Sequence, residues 1–111
     1  KTDGAMEDLK ILAKDTRNVY GAEAKYKVAQ IYFDGGQTDK AEQEVLNYIE
    51  VSTPHTYWLA RSFVLLADVY MKSGRNLDAK QYLLSLKQNY QADDDIAGMI
   101  ESRLEKLKTE N

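Results

Sequence analysis

Apolar residues return along this chain at intervals of three and four, the spacing of one face of an α-helix. Six stretches carry the pattern. The first, about 5–16, places Ala5, Leu9, Leu12 and Ala13 on one side, and the second, about 20–34, buries Val28, Ala29, Ile31 and Tyr32. The third, about 38–51, turns Ala41, Val45, Tyr48 and Ile49 inward. The fourth, about 54–73, is the most apolar, with Trp58, Leu59, Phe63, Val64, Leu65, Leu66, Val69, Tyr70 and Met71 almost all round it. A helix of that kind is buried on more than one side. The fifth, about 76–90, directs Leu77, Tyr82, Leu83 and Leu86 to the core. The sixth, about 94–109, has a narrow stripe of Ile96, Met99, Ile100, Leu104 and Leu107, backed by Glu101, Ser102, Glu105, Lys106 and Lys108.

The breaks agree with this division. Gly35-Gly36 and Gly74 fall where the second and fourth helices stop, and glycine readily takes the left-handed conformation that closes a helix. Thr38 or Asp39 suits the start of the third helix, where Asp39-x-x-Glu42 has the form of a capping box. Thr53 is expected to cap the fourth helix with Pro54 at its first position, and Asn76 to open the fifth.

Two of these stretches are copies. Ala29, Tyr32, Gly36 and Ala41 recur as Ala67, Tyr70, Gly74 and Ala79, each displaced by 38 positions. A period of that length marks stacked supersecondary units, here an all-α array of about six helices. Ala5, Leu9 and Leu12 align with Ala41, Val45 and Tyr48 at an offset of 36, which makes the first helix the second half of a preceding repeat. One domain, 1–111, then divides into a truncated repeat (1–19), two repeats (20–52 and 53–91) and a C-terminal capping helix (92–111). The chain opens on Lys1 without an initiator methionine or signal peptide. It is expected to be a piece of a longer protein, with the missing partner helix lying before Lys1.

Helix-turn-helix units with a small residue, then tyrosine, a turn glycine and a second alanine resemble the tetratricopeptide repeat. The family's small residue falls on Ala29 and Ala67, its tyrosine on Tyr32 and Tyr70, its glycine on Gly36 and Gly74, and its second-helix alanine on Ala41 and Ala79. The chain departs from the pattern in three places. The usual first-helix aromatic is Phe63 in one repeat and Lys25 in the other, and the late alanine of the second helix is replaced by Tyr48 and Leu86. The period also exceeds the commonest length of the family, with the extra residues around Val51–Thr56. The resemblance implies a right-handed α-solenoid of stacked antiparallel helix pairs. The longer, degenerate repeats are similar to those of large exported or envelope-associated bacterial proteins of the Bacteroides type, which would place the parent in the periplasm or at the outer membrane.

Composition and charge narrow the chemistry. At 111 residues, with 43% hydrophobic and 30% charged residues, the chain can bury a core without staples. The formal charge is −3, and neither half carries a basic excess, which argues against tracking nucleic-acid phosphates or lying on a membrane surface. There is no cysteine, so thiol chemistry and cysteine-ligated metals are excluded. His55 is the lone histidine and makes neither a triad nor a metal site; the plainer reading is a surface residue beside Pro54. Asp93-Asp94-Asp95 could begin a calcium loop with Gly98 at its turn, but the twelfth position is Leu104 instead of a carboxylate. Stabilising a helix start is the better reading. No serine has elbow glycines, and Gly35-Gly36 is not followed by Lys-Ser/Thr. No cofactor and no catalytic residue is expected.

The resemblance also implies a site. In the tetratricopeptide fold the first helix of each repeat lines a concave groove. The matching positions are Glu23, Tyr26, Gln30, Phe33 and Asp34, then Arg61, Val64, Asp68, Met71 and Lys72. Such a mixture suits an extended peptide or a helix. Tyr26, Phe33 and Met71 are the expected anchors, with Gln30, Arg61, Asp68 and Lys72 setting polarity. The lysine and asparagine that clamp a C-terminal carboxylate in some family members are replaced by Tyr26, Gln30 and Leu65, so that use is not expected. The expected function is a non-enzymatic protein-binding scaffold. The alternative is a structural spacer that self-associates through an N-terminal helix exposing Leu9, Ile11 and Leu12.

Overall fold

The computed structural model describes residues 2–51 and 53–109; Ser52 and positions 1, 110 and 111 lie outside it. Six helices follow in order: α1 (Thr2–Leu12), α2 (Val19–Asp34), α3 (Thr38–Glu50), α4 (Thr56–Lys72), α5 (Asn76–Asn89) and α6 (Ile96–Thr109). The fold is an all-α helical repeat of stacked helix pairs. The even-numbered helices form one layer, α2 against α4 and α4 against α6. The odd-numbered helices form the other: α3 packs on both α2 and α4, α5 on both α4 and α6, and α1 on α2. Among the described residues, the backbones of α1 and α3, and of α3 and α5, stand farther apart than those of neighbouring even-numbered helices. The odd layer is therefore the more widely spaced of the two. None of the described helices is long and apolar enough to cross a membrane.

The 38-residue echo is an echo of backbone geometry. After α2 the amide of Gln37 donates to the carbonyl of Tyr32 (2.8 Å) and that of Gly36 to Phe33 (3.0 Å). After α4, Arg75 donates to Tyr70 (2.7 Å) and Gly74 to Met71 (3.2 Å). Both are Schellman closures, and each needs a left-handed residue at the same place. Gly36 (φ 82°) and Gly74 (φ 79°) supply it.

The core follows the same register. Ala29 and Ala67, with Ala41 and Ala79, are at most 1% exposed, because small side chains let the helices approach closely. Tyr48 and Leu86 are equivalent and both buried. Gly21 lies against the α1–α2 turn so tightly that a methyl there would run into the carbonyl oxygens of Asp15 and Leu12. On α4, eight residues are buried, including Ser62, whose hydroxyl donates to the carbonyl of Trp58 (2.9 Å).

Several local expectations are corrected. Leu77 points outward and is 70% exposed, since it lies about 200° round the helix from the Ala79–Leu83–Leu86 stripe. α1 ends at Leu12, short of position 16, because Asp15 accepts from the Arg17 amide (3.2 Å) and Asn18 caps α2 by accepting from Tyr20 (2.8 Å). α3 has Gln37 at its N-cap and no side-chain cap, so no capping box forms. Thr53 does not cap α4, which starts at Thr56 with His55 before it. Its hydroxyl instead accepts from the His55 amide (3.1 Å) and donates to the carbonyl of Thr16 (2.6 Å). His55 Nε2 adds a bond to the Arg17 carbonyl (2.9 Å), and the two loops are clasped together.

Candidate binding groove on the even-numbered helices

The resemblance-derived residues share one face because α2 and α4 pack side by side in the same register, but they do not play equal parts. Tyr26 is only 7% exposed. Trp58 lies beside its ring (centroids 5.7 Å apart) and the Arg61 guanidinium sits 4.9 Å from it. Its hydroxyl donates to Gln30 Oε1 (2.6 Å) and accepts from Arg61 Nη2 (3.1 Å). Val64 is buried, and Glu23 is paired with Lys27 on its own helix (2.9 Å).

The polar residues are joined to one another. Gln30 donates to Asp34 (2.8 Å), Arg61 Nη1 to the Tyr57 hydroxyl (3.1 Å), and Tyr57 to Asp95 (2.9 Å). Burial pushes the Tyr57 phenol above its ordinary pKa, with Asp95 adding to the shift and Arg61 opposing it. Burial works against the Arg61 charge, yet the hydroxyls of Tyr57 and Tyr26 outweigh it and its pKa is also raised. One chain of bonds therefore runs from Asp34 on α2 across α4 to Asp95 before α6. Held this way, Arg61 is a fixed strut of the groove wall.

Asp68 is engaged by a residue that the groove matching did not include. Arg103 on α6 grips it with two bonds, Nε to Oδ1 (2.8 Å) and Nη2 to Oδ2 (2.9 Å). This paired contact is the strong form of an arginine–carboxylate interaction. It borders two hollows. The smaller, about 170 Å³, lies towards Tyr26, Gln30 and Met99. The larger, about 440 Å³, is lined by Phe33, Asp68, Met71, Lys72, Ser102, Arg103 and Lys106. Phe33 and Met71 are half-buried there, and the Lys72 amine stands 5.6 Å from the Phe33 ring centre.

Met99, Ser102 and Lys106 were legible in the sequence by one further step of the period. Adding 38 to Arg61, Val64 and Asp68 gives those three residues, and all three line the hollows. α6 packs on α4 in the same layer as α2 does. Arg103 gave no such signal, because an interhelical ion pair is not marked by periodicity.

The remaining acidic cluster is engaged in structure. Asp94 accepts from the Ile96 amide at the start of α6 (2.9 Å) and from the Tyr90 hydroxyl (2.6 Å). Among the described residues, no group of three His, Asp or Glu side chains is placed as metal ligands would be. A hollow of about 570 Å³ opens on the opposite side at the α1–α2 loop, where Lys25 and Asn47 are bonded to each other (2.6 Å). Ala13 and Val51 are the apolar residues of its lining. Set against known proteins, the chain matches no family model, no curated protein and no solved structure.

Proposed function

We propose that this chain is a tetratricopeptide-type interaction module that holds a peptide on the α2–α4–α6 face. The observation that carries the reading is the hollow of about 440 Å³ in which Phe33 and Met71 remain half-buried beside Lys72, Ser102 and Lys106. The repeated Schellman closures, the alanines at both close approaches and the two-layer order support the family assignment.

The chemistry of the hollow favours an apolar side chain flanked by carboxylates. An apolar group seated between Phe33 and Met71 would gain about 1.5–3 kcal/mol if fully buried. Carboxylates beside it would meet the amines of Lys72 and Lys106. The bonded chain through Tyr26, Gln30 and Arg61 keeps the wall ordered, and each side chain so held saves about 0.5–1.5 kcal/mol of ordering on binding. Tyr26 thus supports the groove, and the ligand anchors are Phe33 and Met71.

Selection of a random-peptide display library on the immobilised chain tests this. Enrichment of peptides with an apolar residue next to Asp or Glu is expected, and its loss with the F33D/M71D double variant. Equal enrichment on that variant, with its helical circular dichroism preserved, would remove the groove from the account.

A second reading, self-association, is favoured by one observation. Ile11 and Leu12 at the end of α1 are 63% and 51% exposed.

A further inference from the structure

We infer that the Phe33–Met71 hollow reads a phosphorylated serine or threonine of the bound peptide, with Arg103 as the residue that grips the phosphate. The inference rests on the peptide-binding reading and names the acidic group that the peptide carries.

Arg103 has donors to spare. Nε and Nη2 grip Asp68, and Nη1 donates to the Met99 carbonyl one turn back on α6 (3.2 Å). These bonds use three of the five N–H groups of the guanidinium. Each Nη keeps a second hydrogen, and Asp68 holds the plane of the group in place. A side chain fixed in this way receives an anion without first losing its own freedom. Lys72 and Lys106, both exposed, line the same hollow.

The positive charge is a local departure from the repeat. Displaced by 38 positions from Lys72, Arg103 and Lys106 are Asp34, Leu65 and Asp68. Three cations therefore answer to one leucine and two carboxylates one repeat earlier. Leu65 is 3% exposed, so an apolar residue serves the packing at its place, and no arginine is needed for that purpose. Asp68 in turn answers to the uncharged Gln30. Helix packing does not call for these charges, whereas an anion seated in the hollow does.

Charge matching selects the anion. Asp68 offsets one of the three cations, which leaves the hollow two positive charges at neutral pH. A single carboxylate would balance one of them. A phosphate monoester carries about −1.5 to −2 and three acceptor oxygens, enough for the arginine and both lysines. Arginine-centred clusters are the recurring means of reading such a group in a peptide.

The test uses the peptide acetyl-Ala-Ala-Leu-X-Ala-Ala-amide, with X as phosphoserine, glutamate or serine, titrated into the intact chain by NMR. The phosphoserine form is expected to bind on the order of tenfold more tightly than the glutamate form and to move the Arg103 Nε–H signal. Asp68→Gln with Arg103→Leu copies Gln30 and Leu65, so the hollow keeps its net charge while losing the guanidinium. On that variant the phosphoserine and glutamate forms should bind equally. A phosphoserine preference that survives there overturns the role of Arg103. Equal affinities on wild type overturn the inference and leave the peptide reading standing, which the F33D/M71D selection judges separately. A wild type that does not respond to the phosphoserine form overturns the inference whatever that selection yields, and needs no variant to fold. The same shifts from inorganic phosphate at equal concentration would mark an ion site without a peptide, and would overturn it too.

Discussion

Tyr48 fills the place that Leu86 holds one repeat later, and it brings a hydroxyl into a buried position. The hydroxyl donates to the carbonyl of Ala22 (3.2 Å), and burial pushes the phenol from an ordinary 10.0 up to about 12. A folded-state pKa above the unfolded one favours the neutral phenol. Its contribution to stability is complete below pH 10 and is lost as pH rises through about 12. Tyr48→Phe is expected to lower stability by about 1 kcal/mol at neutral pH through the lost bond. It should also flatten the fall in stability on the alkaline side, though not abolish it, because Tyr70 and Tyr90 are raised as well. Urea midpoints near neutrality and near pH 11 measure both effects, and an unchanged alkaline slope would contradict the assignment. At this scale the sequence is least informative. The resemblance assigns Tyr26 to the groove face, but its burial comes from Trp58 and Arg61 on another helix. Nothing within α2 foretells that cover.

The helices themselves were legible because each has an apolar face at helical period, to which α2 and α4 add glycine stops. Their starts were less so, since Thr and Asp residues serve loops as readily as caps, and Thr53 binds the α1–α2 loop. The repeats also differ in a way that only their pairing explains. Lys25 and Glu44 (3.5 Å apart) occupy the places of Phe63 and Tyr82, an ion pair standing where the next repeat has two aromatic rings. Lys25 alone looked like a departure from the pattern; with Glu44 it is a substitution of one matched pair for another. A double-mutant cycle tests this. Lys25→Phe should destabilise by about 1 kcal/mol, by leaving Glu44 and Asn47 without the amine they share, and Glu44→Tyr by less, because the Lys25 amine keeps its bond to Asn47 (2.6 Å). The double variant should recover wild-type stability or exceed it, with a coupling of about 0.5–3 kcal/mol. Additive losses in urea denaturation would show that the two sites are not equivalent.

Across the whole molecule, one offset of 38 residues relates turns, core alanines, interhelical pairs and groove positions on three helices. The even layer gathers Phe33, Met71, Ser102 and Lys106 around one hollow, although they come from three separate helices. The odd layer presents Leu46 and Leu84 instead, at 37% and 45% exposed. On the proposed function, ligands use the even layer. Backbone amide chemical-shift mapping with a display-selected peptide tests it most directly. The largest shifts are predicted at Phe33, Asp68, Met71, Lys72, Ser102 and Lys106, with residues 40–47 and 78–85 of the odd helices unmoved. Shifts concentrated on α3 and α5, with the Phe33–Met71 hollow silent, would contradict the claim.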